Sequence, residues 1–442
     1  MSNIAANAAD QTKIKMGNLI WFQNNLRIKD NYSLAAACTG ERVIAVYFFD
    51  PRQFAVGTYG FKKTGKYRAK FLIESVQNLK DNLAKLQIDL LVFHDRPEHI
   101  LPKLLEKHHL HKVFLQKEWT RDEVNVLKAT KAMCDAKVTF LQSYEQLLFH
   151  PEDTPFSSFG QTPDVFTAFR KKCEKYGSVK KEVAVPQARP SENRITNNTT
   201  VPTLKALGFD DLKIDKRSAF PFTGGEDEAL SRLQDYFWNT QKLSTYKKTR
   251  NGLVGTGYSS KFSPWLANGC ISPRTIYWQI RQYEQQIKKN QDTYWLIFEL
   301  IWRDYFKYVS LKYGDKIFHL GGILDREYEW NRDLDLLEQW TLGKTPEPFI
   351  NANMQELLHT GWMSNRGRQN VASYWAKELE QDWRMGASYF ESLLVDYDVH
   401  SNWCNWMYLS GVGNDPRDRK FNIKRQAEMY DANQTFQHLW LT

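Results

Sequence analysis

Four stretches carry residue types that could do chemistry together. Glu299, Trp302 and Arg303 stand at i, i+3 and i+4 in the run Phe298–Phe306 (FELIWRDYF), so on a helix they share one face. A carboxylate, an indole and a guanidinium converging on one spot are costly to bury and useful in a pocket. The alternative is a surface Glu–Arg helix pair with the indole laid over it. Gly257–Leu266 (GYSSKFSPWL) places small hydroxyl residues ahead of a helix. That arrangement offers donors to a phosphate, although ordinary N-caps use the same residues. In Gly361–Asn370 (GWMSNRGRQN), Arg366 and Arg368 are two apart and cannot share a helix face. One could turn to a pocket and the other to a phosphodiester. Asp382–Asn422 sets Trp383, Trp403, Trp406 and Tyr408 beside Asp396, Asp398 and Asn402. Carboxylates can hold ribose hydroxyls or ring nitrogens, an amide can face a ring edge, and indoles can carry electrons. The set suits a large planar cofactor, and equally a Trp-rich helical core.

Other chemistries lack support. Gly60–Lys66 (GFKKTGK) matches a phosphate loop, but Tyr67 follows where a hydroxyl would bind Mg²⁺, and no strand leads into Gly60. It reads as a basic surface loop. The Gly255–Gly257 piece lacks a third glycine and a preceding strand. Cys38, Cys134, Cys173, Cys270 and Cys404 are scattered, with no ligand spacing for zinc or iron–sulfur. No metal is expected, and an odd dispersed set fits a reducing compartment.

The elements that must position these residues divide the chain. Apolar runs at Asn18–Phe22, Arg42–Phe49, Leu90–His94 and Lys112–Leu115 alternate with helical periods such as Tyr67–Leu86. This pattern predicts a parallel, Rossmann-like α/β domain over 17–150. Residues 151–224 are rich in Pro, Ser, Thr and Asn and read as an interdomain connector with one helix near Asp164–Tyr176. Helical periods dominate 225–442, an all-α domain, and residues 1–16 read as a polar leader without secretory or transit character. The 442 residues carry 42% hydrophobics, 15 Trp, 21 Tyr and a net charge of +9. The charge favours a polyanion, nucleic acid before membrane surface. No apolar run is long enough to cross a bilayer. With no secretory signal and no evident organellar targeting, a cytoplasmic location is expected, and a monomer.

Taken in order, these segments resemble the photolyase and cryptochrome family over nearly the whole chain, and within it the cryptochrome DASH class. The resemblance rests on WRDYF at Trp302–Phe306, GWMSNRGRQNVASYWAKEL from Gly361, DWRMGASYFE from Asp382, and DYDVHSN, NW, Y, GVGNDPR and RKFN through Asn422. It implies an antenna domain in the α/β half and an FAD-binding catalytic domain in the helical half. Positions matching the FAD pocket are Tyr246, Ser259, Ser260, Lys261, Phe262, Ser263, Glu299, Arg303, Asn365, Arg368, Asp396, Asp398 and Asn402. By that resemblance Ser259–Ser263 wrap the phosphates and Asp396 lies at the flavin ring edge. Asp398 lies near the ribityl or ribose hydroxyls or Arg368. Asn402 faces flavin N5, where an amide cannot quickly give up a proton. Plant-type photoreceptors carry Asp there, so Asn402 favours the repair-competent form. Trp406, Trp383 and Trp330 fall at the electron-transfer positions. Glu118, in QKEWT from Gln116, matches the position that holds a folate antenna, 5,10-methenyltetrahydrofolate.

The resemblance also implies lesion contacts from Glu299, Trp302, Asn365, Gln369 and Tyr408, with Arg250, Arg366 and Arg419 gripping flanking phosphates. Gln369 stands where many members have Met and Tyr408 where many have Trp, which makes the pocket wider and more polar. Less stacking energy is then left to offset flipping from duplex. The implied activity is light-driven repair of cyclobutane pyrimidine dimers in single-stranded or looped DNA, with RNA or duplex bound non-specifically. The alternatives are a blue-light signalling flavoprotein and a nucleic-acid binder without repair.

Overall fold

A computed structural model describes residues 17–415 and 417–442; the leader expected at residues 1–16 lies outside them. Strands β1 (Gly17–Phe22), β2 (Arg42–Phe48), β3 (Leu90–Phe93), β4 (Leu110–Gln116) and β5 (Thr139–Ser143) form one parallel sheet in the order β3-β2-β1-β4-β5. Helices α1 (Tyr32–Ala37), α2 (Lys66–Lys85), α3 (Pro97–Lys107) and α4 (Arg121–Met133) cross between them. Alternation along the strands assigns the two faces. Leu19, Trp21, Ile44 and Val46 pack with Leu101, Leu104 and Leu105 of α3 in a small closed core. Ile20, Phe22, Val43, Ala45 and Tyr47 belong to a second core that runs without a break into the helical half. Burial on both faces is what a wholly parallel sheet requires.

After β5 a largely irregular connector carries one helix, and from Glu226 onward the chain is mainly helical, as its periodicity predicts. The helices are α5 (Phe166–Tyr176), α6 (Glu226–Leu233), α7 (Tyr246–Thr249), α8 (Ser263–Ala267), α9 (Pro273–Gln286), α10 (Gln291–Tyr313), α11 (Leu334–Thr341), α12 (Pro348–Thr360), α13 (Asn365–Ser373), α14 (Trp383–Leu393), α15 (Val399–Leu409), α16 (Ile423–Tyr430) and α17 (Thr435–Leu441). The longest, α10, opens on a capping box in which Asn290 and Thr293 exchange side-chain and backbone bonds. It packs against α5, α7, α9 and α15.

Buried charge joins the sheet to the helices. The segment after β1 carries Arg27 and Asp30, and the turn into α9 carries Ser272 and Arg274. Asp30 accepts from the Ser272 hydroxyl and from Arg274 Nε at 2.9 Å. Arg27 donates to the carbonyls of Gly269 at 3.0 Å and Asp30 at 2.8 Å. Arg27, Asp30, Glu145 and Arg274 are all at most 2% exposed. Gly269 sits at φ +73°, and a Cβ there would come within 2.0 Å of the Asn24 carbonyl, so this seam admits only glycine. The Gly60–Lys66 loop also serves packing. The Gly65 N–H donates to the Ser392 carbonyl at 2.8 Å and α2 begins at the next residue.

Removing one side of this joint leaves a buried charge alone, which costs about 3–5 kcal/mol. Asp30→Ala should lower the urea-unfolding free energy by that amount. Lys316→Ala, at the exposed Lys316–Asp325 pair, should cost less than about 1 kcal/mol.

Candidate cofactor pocket and nucleic-acid face

Glu299, Trp302 and Arg303 do lie on one side of α10, but they do not converge. Glu299 pairs with Arg250 just past α7, at 2.5 Å. Arg303 donates instead to the carbonyls of Gln146 and, at 3.1 Å, Leu266. The expected cluster is split because two otherwise unsatisfied carbonyls at the domain seam draw the guanidinium away. Burial raises the Glu299 pKa, with Arg250 opposing.

Residues 256–262 form a shaped loop ahead of α8. Arg232 of α6, 5% exposed, donates to the carbonyls of Thr256 (3.0 Å), Ser259 (3.1 Å) and Ser260 (3.1 Å). With those carbonyls turned to one cation, the loop's N–H groups point elsewhere. Among the described residues none from Thr256 to Phe262 has a backbone partner. Lys261 takes a left-handed φ of 64°. Its Nζ lies 3.3 Å from the Tyr258 ring centroid and 4.5 Å from that of Trp362, yet makes no hydrogen bond. Burial drives its pKa well below the ordinary lysine value. Ser260 and Phe262 are buried, Ser259 is half-buried, and Ser263 is exposed. Tyr246 is buried at the start of α7.

Glu356 of α12 is 1% exposed and neither of its carboxylate oxygens has a partner. Burial pushes its pKa up to about 8, against Lys261 and Arg368. Arg368 holds Asp396 at 2.9 and 3.0 Å. Asp398 therefore is not the partner of Arg368. Its Oδ2 takes Lys307 Nζ at 2.7 Å, and its Oδ1 caps α15 through Ser401 N–H at 2.8 Å. Burial opposes ionisation of Asp398, but Lys307, His400 and Arg303 together hold it well below the usual carboxylate range. Asn402 donates its side-chain N–H to the Ala387 carbonyl at 2.9 Å, which leaves the amide oxygen and one amide hydrogen for a ligand.

Trp406 and Trp383 are buried and Trp330 is half-buried. Trp406 meets Phe390 at 5.0 Å and Trp340 at 6.2 Å, and Trp383 meets Trp403 at 5.9 Å. The chain at Trp330 is tied to Trp383 through the Asp382 N–H on the Asn331 carbonyl, 2.9 Å. A Cβ at Gly386 would lie 2.3 Å from the Trp406 ring, so glycine lets α14 press onto that indole.

On the candidate nucleic-acid face, Trp302 meets Tyr408 edge-on at 6.0 Å and 86°. Tyr408 Oη accepts from Arg419 at 3.2 Å. Phe166 of α5 lies parallel to Trp302 at 3.6 Å and 9°, which takes one face of the indole expected to contact a base. Gln369 has a buried, unpartnered Oε1. Arg366 and Arg368 turn to different neighbours: Arg366 lies 4.5 Å over the Tyr430 ring. Asn365 is exposed on the first turn of α13.

Glu118 follows β4 at the point where the strand order reverses between β1 and β4. In such sheets ligands bind outside the carboxyl ends of the strands at this switch. Its carboxylate accepts from Gln116 (2.7 Å), Asn24 after β1 (3.1 Å) and Gln146 (3.2 Å). Burial and Glu123 raise its pKa to about 7. Arg232, Glu356, Lys307 and Phe166 were not anticipated from sequence. Glu356 gave a signal, since it extends the buried stripe of Phe349 and Asn353 along α12. Lys307 gave none, because α10 is buried nearly all round there.

A carboxyl raised in the folded state stabilises below its unfolded pKa and loses that contribution as pH rises through the folded value. The ligand-free protein should therefore lose stability between about pH 5 and 9 as Glu356 ionises. Glu356→Gln should flatten the slope by up to about 1.4 kcal/mol per pH unit, read from urea unfolding at a series of pH values.

Known proteins resemble this chain in sequence and in overall fold. A family model described as DNA photolyase matches residues 18–190, and one described as the FAD binding domain of DNA photolyase matches 295–442. The chain is 46% identical over 425 residues to Cryptochrome DASH of Danio rerio, covering 95% of this chain and 82% of that relative. A crystal structure of a cryptochrome from Synechocystis sp. PCC6803 superposes with TM-score 0.92 at 46% identity, over 96% of this chain and 88% of the other. A bacterial class III photolyase from Agrobacterium tumefaciens gives TM-score 0.81 at 25% identity, over 99% and 88%. With likeness running through both the sheet and the helices that hold these residues, the chain belongs to the photolyase and cryptochrome family, in its cryptochrome DASH class, and carries that family's FAD-binding domain.

Proposed function

We propose that the protein is a light-driven photolyase that splits cyclobutane pyrimidine dimers in single-stranded or looped DNA. One observation carries the reading: the packed pair α10 and α15 bears both halves of the site. Lys307 and Asp398 meet on it as a buried charged pair, and Trp302 and Tyr408 meet on it as an aromatic corner. The helical domain is taken as 225–442, so that it includes the loop before α8, with 17–150 as the antenna domain and 151–224 as the connector.

The residues present fit FAD. Unpartnered loop N–H groups suit a pyrophosphate, as does the unpaired Lys261 amine, which a bound anion would favour in its protonated form. The ionised Asp398 suits ribose or ribityl hydroxyls, and Arg368–Asp396 and Asn402 suit a ring edge with both donors and acceptors. When bound and reduced, FAD supplies under blue or near-UV light one electron to the dimer and takes one back, so the cyclobutane ring opens to two pyrimidines with no net oxidation. Trp406 and Trp383 are buried and Trp330 is half-buried, and such easily oxidised rings suit a role in renewing the reduced cofactor. Glu118, among three amide donors at the switch point, suits the pterin of a 5,10-methenyltetrahydrofolate antenna.

The protein's own groups account for substrate choice. Glu299, its pKa raised by burial, can hydrogen-bond or protonate the dimer once it gains an electron. Trp302 offers one free face, the other being covered by Phe166, and Tyr408 offers an edge. A stacked base is worth about 1–3 kcal/mol, comparable to the few kcal/mol needed to flip a lesion from duplex. Single strands carry less of that cost and are favoured. Arg250, Arg366 and Arg419 with the net +9 charge support salt-dependent binding of other DNA or RNA. A cytoplasmic monomer is part of this proposal. Among the described residues no helix is long and apolar enough to cross a membrane.

The test is photoreduced protein with an oligonucleotide bearing one thymine dimer, followed by recovery of thymine absorbance under blue light. Repair of the single strand, with the duplex at least tenfold slower, is expected, and Glu299→Ala should lower the single-strand yield. No repair of either strand by protein with bound, photoreducible flavin would replace this reading with a light receptor.

A further inference from the structure

A continuous buried polar path joins the two proposed ligand sites. Glu118 Oε2 accepts from Gln146 Nε2 at 3.2 Å. The Gln146 Oε1 accepts from Lys307 Nζ at 2.9 Å, and the same ammonium donates to Asp398 Oδ2 at 2.7 Å. Lys307 is fully buried, and Glu118, Gln146 and Asp398 are buried or nearly so. The amide of Gln146 can be oriented only one way, since its nitrogen must face a carboxylate and its oxygen an ammonium. A parallel contact runs alongside. Trp119, next to Glu118 in sequence, stacks on His400 at 4.7 Å, and both bond to Ser310 Oγ at 2.8 and 2.7 Å.

We propose that Lys307 is a positioning residue shared by both sites and that, through Gln146, it makes ligand binding at Glu118 and FAD binding at Asp398 mutually strengthening. The proposal rests on the reading that Glu118 holds the antenna and Asp398 lines the flavin pocket. The sign follows from charge. A ligand that donates hydrogen bonds to Glu118 favours its ionised form. Ionised Glu118 polarises Gln146 and makes its oxygen a better acceptor for Lys307. A buried lysine tends to lose its proton, so this support keeps the ammonium charged and keeps Asp398 ionised and fixed as an acceptor. Coupling between two binding equilibria is reciprocal, so FAD strengthens antenna binding by the same factor.

The experiment titrates FAD into the full chain stripped of ligand, with and without saturating 5,10-methenyltetrahydrofolate, read by flavin fluorescence. Wild type, Gln146→Leu and Lys307→Met are compared. Wild type should bind FAD at least about fivefold more tightly with the folate present, a coupling of about 1 kcal/mol. Gln146→Leu keeps the Lys307–Asp398 pair, so it should still bind FAD, with a ratio near one. Lys307→Met should lose FAD affinity and the ratio together. If that variant fails to fold, Gln146→Leu alone decides. Equal ratios in wild type and Gln146→Leu, or no coupling in wild type, would overturn the proposal. Folate failing to bind wild type while dimer repair persists would overturn it together with the antenna assignment, and leave the repair reading standing.

Discussion

Asp30 and Arg274 meet wholly out of solvent, with Arg27 and Glu145 beside them, and the working surfaces on both sides depend on that contact. Buried ion pairs are poor sources of net stability but severe penalties when broken. This joint therefore fixes the geometry of the two halves more than it adds to their stability. Gly269 allows the backbones to touch there. From this seam the segment after β1 places Asn24 against Glu118, and the turn into α9 leads on to α10. Arg303, which donates across the same seam to Gln146, holds α10 against the α/β domain at the level of Lys307.

With the halves fixed, α10 serves three neighbours at once. Its outer side gives Glu299 to Arg250, its middle gives Trp302 to Phe166 and Tyr408, and its inner side gives Lys307 to Asp398 and Gln146. The recurring feature is polar groups buried without full partners: Lys261, Glu356, Gln369 and the N–H groups of the loop before α8. Such groups are costly in a finished core and are the expected signature of a cavity whose remaining partners belong to a ligand.

The sequence made much of this legible. Apolar runs marked four of the five strands and the parallel class, and helical periods marked most helices of the second half. β5 escaped because Thr139–Ser143 lies at a half-exposed sheet edge and carries no apolar run. α15 escaped as a period because it is buried nearly all round. Family resemblance implied a set of candidate pocket residues, but it could not assign their partners. Arg303 was drawn to seam carbonyls rather than to Glu299, Asp398 took Lys307 rather than Arg368, and Phe166 reached Trp302 from a connector that reads as surface. Each is a long-range contact decided by which buried carbonyl, charge or ring lacked a partner, information absent from local spacing.

The proposed photolyase activity requires a redox-neutral cycle in which one photon repairs one lesion and returns the electron. Flash photolysis of the reduced protein, mixed with a single-stranded thymine-dimer oligonucleotide, tests it most directly. Thymine absorbance should recover after a single flash while the flavin absorbance returns fully to its starting value. Lasting flavin oxidation without thymine recovery would contradict it.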